Sequence, residues 1–124
     1  SLRQKNTAIP TKLTIIYNND LALRPIATTK EDFWSNIKYL DTVEINSSRI
    51  GIFFVDRISQ LKKVDYTFSV SAAIIFRNGK NVSDTVYTDN FFLNFLVRGV
   101  NYIDDSKEKE LRKMVGGFFM FYYE

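Results

Sequence analysis

Four aspartates are the first residues in this sequence to suggest chemistry. Asp84 and Asp89 border one polar stretch, and Asp104-Asp105 stand in a loop ahead of a helix start. Two carboxylates across a cleft could perform acid–base or glycosidic chemistry. Their positions argue for less. Asp84 and Asp89 flank a polar strand face, and acidic residues before a helix favour its dipole. All four read as solvated surface. The chain has no His and no Cys. That excludes the usual structural zinc sites, disulfides, Cys-His or Ser-His-Asp catalysis and a His general base. It also lacks a phosphate loop, a dinucleotide fingerprint, a calcium loop and a nucleophile elbow. With only carboxylates and Lys to move protons, the expectation is a non-enzyme with no catalytic residues, no cofactor and no metal.

The net charge of +3 permits an anionic partner without demanding one. The basic residues are scattered, from Arg3, Lys5 and Lys12 through Lys62, Lys63 and Lys80 to the last segment. There Lys107, Lys109, Arg112 and Lys113 alternate with Glu108 and Glu110, the pattern of a solvated helix face. Nucleic-acid binding wants clustered cations among exposed aromatics, so no direct nucleic-acid contact is expected. Asn46-Ser47-Ser48 and Asn81-Val82-Ser83 match the glycosylation sequon, which matters only in a eukaryotic secreted protein.

The elements that must position these groups follow from periodicity. At 124 residues and 45% apolar content, the chain is read as one domain, 1–124, with a real core. No apolar run reaches the roughly 18–20 residues of a membrane span. Residues 1–11 read as a polar lead-in. Because the chain opens on Ser1, an anchoring segment upstream is expected. Leu13–Tyr17 is β-rich and stops at Asn18-Asn19-Asp20. Thr28 and Glu31 fit a capping box, and Phe33, Trp34, Ile37 and Leu40 recur at helical spacing, predicting a helix over 29–40. Trp34 reads as a core anchor, with ligand stacking as the alternative.

From Thr42 the period becomes two. Asn46-Ser47-Ser48 reads as a turn or bulge, Ile50–Val55 as a central strand, and Asp56–Lys63 as a polar connector. Residues 64–77 predict a long strand, with Tyr66, Phe68, Val70 and Ala72 on one face and Ala73–Phe76 covered on both. Asn78-Gly79 signals a hairpin. A strict turn would set Ala72 opposite Thr85, and a longer loop through 78–84 is the alternative. The second strand is expected over 85–98, and Gly99–Asp105 as a loop. Long strands with few helices imply an α+β domain, an antiparallel sheet packed on helix 29–40.

The last segment, SKEKELRKMVGGFFMFYY at 106–123, admits two readings. It is one helix, or a Ser106-capped helix ending near Met114 followed by a strand from Phe118 to Tyr123. Gly116-Gly117 inside a helix would cost about 2 kcal/mol relative to Ala-Ala. The apolar-all-round tail suits a buried strand, so the break is preferred.

Read with the break, residues 64–123 resemble the extracytoplasmic domain of the eighth VirB-type, or TraE-like, component of type IV secretion systems. Ser106–Lys109 look like that family's polar segment, Gly117-Phe118 like its Gly-Phe, and Tyr123 falls five residues after that Phe. Met114-Val115 stand where the family has Asn-Pro, and its helical N-terminal part is short here. The resemblance implies a curved, nuclear-transport-factor-2-like antiparallel sheet. It implies a non-catalytic scaffold at the extracytoplasmic face of a bacterial cell membrane, tethered upstream. Its partners would be other channel subunits and copies of itself, contacted through Gly117, Phe118 and Tyr123 of the closing strand and Tyr102 of the 99–105 loop. Read as one helix, the segment gives a β-α-β-β-β-α order that is similar to the LPS-assembly lipoprotein LptE. Ile9-Pro10, Leu13 and Ile15-Ile16-Tyr17 are similar to that family's opening strand. That resemblance implies binding to LPS and to an outer-membrane barrel. A third expectation, a ligand-binding pocket in the same fold, would put a deep cavity near Trp34 and Tyr66.

Overall fold

The computed structural model describes residues 10–18, 28–35 and 40–116. Seven antiparallel strands form one open sheet in the order β2-β1-β4-β5-β6-β7-β3. They are β1 (Lys12–Asn18), β2 (Leu40–Ile45), β3 (Lys62–Lys63), β4 (Ala72–Asn78), β5 (Asn81–Thr88), β6 (Asn94–Val97) and β7 (Val100–Ile103). Among the described residues three helices accompany the sheet: α1 (Lys30–Ser35), α2 (Ser48–Ile58) and α3 (Glu110–Gly116). The α+β class with an antiparallel sheet on few helices is as expected, and the sheet is not closed into a barrel.

The central strand β4 divides two cores. Ala72, Ile74 and Phe76 join Leu13, Ile15, Val86, Phe95 and Val97 beneath Phe54 and Ile58 of α2. Ala73 points the other way, into a smaller cluster with Phe33 of α1 and Val70. Both faces of Ala72–Phe76 are covered, as the continuous apolar run predicts.

The segment expected as a central strand at Ile50–Val55 is instead the middle of α2. Ser47, read as part of a turn, is its N-cap, and its hydroxyl accepts from the Ile50 N–H at 3.2 Å. Gly51, Phe54 and Ile58 are the buried positions, at helical spacing. The run Ile-Gly-Ile-Phe-Phe-Val hid that period because apolar residues also occupy the outer face, where Ile52 is 48% exposed. Gly51 permits a close approach. A Cβ there would lie 2.4 Å from the Pro10 carbonyl oxygen.

The first capping box is shifted by one residue. Thr29 Oγ1 accepts from the Asp32 N–H, and the Thr29 N–H donates to Asp32 Oδ2. Thr28 works elsewhere. Its N–H donates to Ser69 Oγ at 2.9 Å, and its carbonyl accepts from the Val70 N–H at 2.8 Å. The expected helix over 29–40 does not reach its end, because Leu40 opens β2. Ile37 lies outside the described residues.

The long strand expected from residue 64 starts only at Ala72. Residues 64–71 form no regular ladder and bend at Asp65, although the Val64, Val70 and Ser71 N–H groups each find a carbonyl. Val70 is buried, Phe68 half-buried and Tyr66 exposed. In the β4–β5 hairpin Asn78 faces Asn81 across Gly79-Lys80, with Gly79 at φ 65, the first central position of a II′-type turn. With that turn alone Ala72 would meet Tyr87; a one-residue bulge, with Arg77 opposite Val82 but Phe76 opposite Asp84, carries it to Thr88, against the expected Thr85. The strand expected over 85–98 is broken at Asp89 into β5 and β6. The expected 99–105 loop contains β7, which pairs back on β6 through Arg98-Gly99. Both turn residues are left-handed, at φ 51 and 80, as a type I′ turn requires.

Ser106 Oγ accepts from the Lys109 N–H at 3.2 Å just ahead of α3. α3 continues through Gly116 rather than ending near Met114. The expected strand from Phe118 to Tyr123 lies outside the described residues.

Candidate functional site

Three of the four aspartates are structural acceptors here rather than solvated surface. Asp84 receives the Arg98 Nε–H at 2.8 Å on one oxygen and the Thr85 N–H on the other. Asp89 is buried, and its Oδ1 accepts from the Leu93 N–H at 3.0 Å while its Oδ2 accepts from Asn94 Nδ2 at 2.8 Å. Asp104 is buried too, and its Oδ1 accepts from the Ser106 N–H and from Ser106 Oγ. Of the four, Asp105 alone is exposed as expected. Short side chains with two acceptor oxygens suit tight loops, which is why the chain spends them there. Among the described residues, no three His, Cys, Asp or Glu side chains group as metal ligands would.

Trp34 sits in the smaller core. Its indole N–H donates to the Tyr87 hydroxyl at 3.0 Å, and its ring meets Phe33 edge-on at 5.1 Å. The core-anchor reading holds. The Lys30 ammonium lies 5.9 Å from the centre of the Tyr87 ring.

What the sheet leaves open is a groove of about 430 Å³ lined by Lys63, Val64, Asp65 and Tyr66. Its construction begins at the end of α2. Leu61 is buried beneath the helix terminus, and its N–H donates to the Ile58 carbonyl. The chain then lies against β7, with Lys62 opposite Ile103, Lys63 opposite Tyr102 and the Val64 N–H donating to the Asn101 carbonyl. Beyond Val64 it leaves the ladder. Tyr66 is 43% exposed, and its hydroxyl donates to Asn94 Oδ1 at 2.8 Å. Asn94 is held in turn by Asp89. The β5–β6 loop therefore fixes the far end of the groove, and the Asp104 N–H ties β7 back to the Leu93 carbonyl.

Of the residues expected to bind partners, Tyr102 lies beside this groove. It is half-buried, packs on the main core, and pairs with Lys63 on one side and Phe95 on the other. Gly117, Phe118 and Tyr123 lie outside the described residues. Of the two residues expected near a deep cavity, Tyr66 lines this groove and Trp34 is not among its described lining residues. Sequence reasoning named Tyr66 beside a cavity but not Lys63, Val64 or Asp65, because 64–77 read as one long strand. The charged start of the stretch, Lys62-Lys63 and Asp65, was the available signal of an edge.

Two titrations are displaced. Burial, then the Asp41 carboxylate, raises the Tyr17 phenol above its ordinary range. The Lys113 ammonium, hydrogen-bonded to Glu108 at 2.8 Å, lowers that exposed carboxyl. Neither residue lines the groove. No described helix is long and apolar enough to cross a membrane. Compared with known proteins, the chain matches no family model, no curated protein and no solved structure.

Proposed function

We propose that this domain is a non-catalytic assembly module that works through protein–protein contacts at the β3–β7 end of its sheet. The supporting observation is the open groove along Lys63–Tyr66, set beside Tyr102 at a strand end protected by only two ladder residues. The fuller form of the proposal is a scaffold of a type IV secretion or conjugative machine, with a curved, nuclear-transport-factor-2-like sheet. It stands at the extracytoplasmic face of a bacterial membrane, is tethered by an upstream segment and contacts other channel subunits. The sheet is what supports that likeness. The helices do not, since β2 separates α1 from α2. Photo-crosslinking in cells from position 66 tests it. A discrete adduct with a membrane-channel subunit supports the reading, and the absence of any discrete adduct overturns it.

A second reading, an LptE-like lipoprotein that binds LPS and an outer-membrane barrel, is favoured by one observation. It is that α3 extends to Gly116, two residues past Met114. Saturable binding of the purified chain to LPS would select this reading over the first.

A further inference from the structure

We propose that the two ends of the sheet bind each other between copies of this chain, with β2 of one copy lying in the Lys63–Tyr66 groove of the next. The inference rests on the assembly reading of that groove and names its occupant.

The two ends carry opposite charge. β2 presents Asp41, Thr42 and Glu44, all exposed, and among the described residues it has β1 as its one neighbour. It contains no Pro, no Lys and no bulge, the usual protections of an edge strand. Glu44 is shared with Lys12 of β1 at 3.0 Å, on the sheet side away from Val43 and Ile45. The other end presents Lys62 and Lys63, both exposed. Asp65 is the lone acidic residue of the groove lining among the described residues.

Charge also decides which edges meet. Two β2 strands paired antiparallel about Thr42 would bring their two Asp41 carboxylates to diagonal positions on one face, and paired about Val43 their two Glu44 carboxylates. Two β3 ends would set lysine against lysine. A β2 edge against a β3 edge sets carboxylates against ammonium groups. The groove follows directly on from β3, so an incoming strand would continue the ladder past Lys63, where β3 stops after two residues. The contact is heterologous, the kind that closes into rings or extends as a filament.

Sedimentation of the full chain at low ionic strength is the test, with circular dichroism as the folding check. The wild-type chain is expected to self-associate, and salt to dissolve the assembly. K62E/K63E makes both ends acidic, and D41K/E44K makes both basic. Each variant alone should lose at least about tenfold in association constant. Mixed in equal amounts, the two variants present complementary ends again and should recover it. A wild-type chain that stays monomeric, single variants that associate like the wild type, or a mixture that recovers nothing would each overturn the proposal. A monomeric chain whose position 66 still crosslinks to a channel subunit would leave the assembly reading standing without self-pairing.

Discussion

The Trp34 indole N–H and the Tyr87 hydroxyl meet at 3.0 Å across the smaller core, with their rings edge-on at 6.4 Å. The bond joins α1 to β5 over 53 positions of sequence. A six-residue helix cannot hold itself in water. This bond and the burial of Phe33 are what seat it. Tyr87→Phe removes the acceptor and keeps the ring. It should cost about 1 kcal/mol in urea unfolding. Trp34→Phe should cost less in that background than in the wild type, because the bond is already gone and only packing is lost, so a double-mutant cycle should show coupling. Strict additivity would mean that the bond does not form in solution.

Gly51→Ala should destabilise the fold although Ala is the better helix former. Propensity favours Ala by about 1 kcal/mol. The new Cβ would sit 2.4 Å from the Pro10 carbonyl oxygen, and backbone there must move. Overpacking of this kind costs about 1–3 kcal/mol. The expected net effect is a lower urea midpoint together with faster proteolysis near Pro10. A stabilised Gly51→Ala protein would show that Pro10 does not rest on α2.

Asp89→Ala strips the acceptor from the Leu93 N–H and from the Asn94 amide. The loss should reach about 1 kcal/mol, since it leaves part-buried donors unpaired. It should also free Asn94 and, through it, Tyr66 at the end of the groove. Hydrogen exchange should rise in 89–94 and at Tyr66 while β1 and β4 stay protected. Unchanged exchange at Tyr66 would break the proposed link between loop and groove.

The raised Tyr17 phenol gives a pH dependence of definite sign. In the folded state it holds its proton to higher pH than the unfolded chain, whose phenol titrates at 10.0. Between the two values the folded state binds more protons, so stability falls as pH rises from 10.0 through the folded value. Comparing wild type with Tyr17→Phe isolates this contribution from the lysines. The wild type should lose more stability than the variant on the alkaline side and match its slope near neutrality.

The legible parts of this chain were those where one signal spoke alone. β1 stood between clear turn residues, and Ala72–Phe76 declared a strand covered on both faces. Trp34 fell on an apolar helical stripe and is core. α2 was misread because Ile52 filled a position that a solvated helix face would give to a polar residue, in an otherwise continuous apolar run. The Ser47 cap was the clue left unused. Residues 64–71 were misread for the opposite reason. Alternating residue types do not by themselves bring a bonded neighbour to the chain. The Arg98-Gly99 turn was hidden because a left-handed Arg has no compositional mark. The groove escaped because edges are properties of strand order, and strand order is written in pairings between distant residues.

β1 is an interior strand, paired with β2 on one side and β4 on the other, with Lys12 opposite Arg77. The meander from β4 through β7 joins neighbours by short turns and can zip up locally. The pairing of β1 with β4 must instead close a loop of about 60 residues, and loop closure is what slows such topologies. The meander therefore presents the bare edge of β4, its most apolar strand, until β1 arrives. The interval before that docking is when this sequence is most exposed to pairing with the wrong chain.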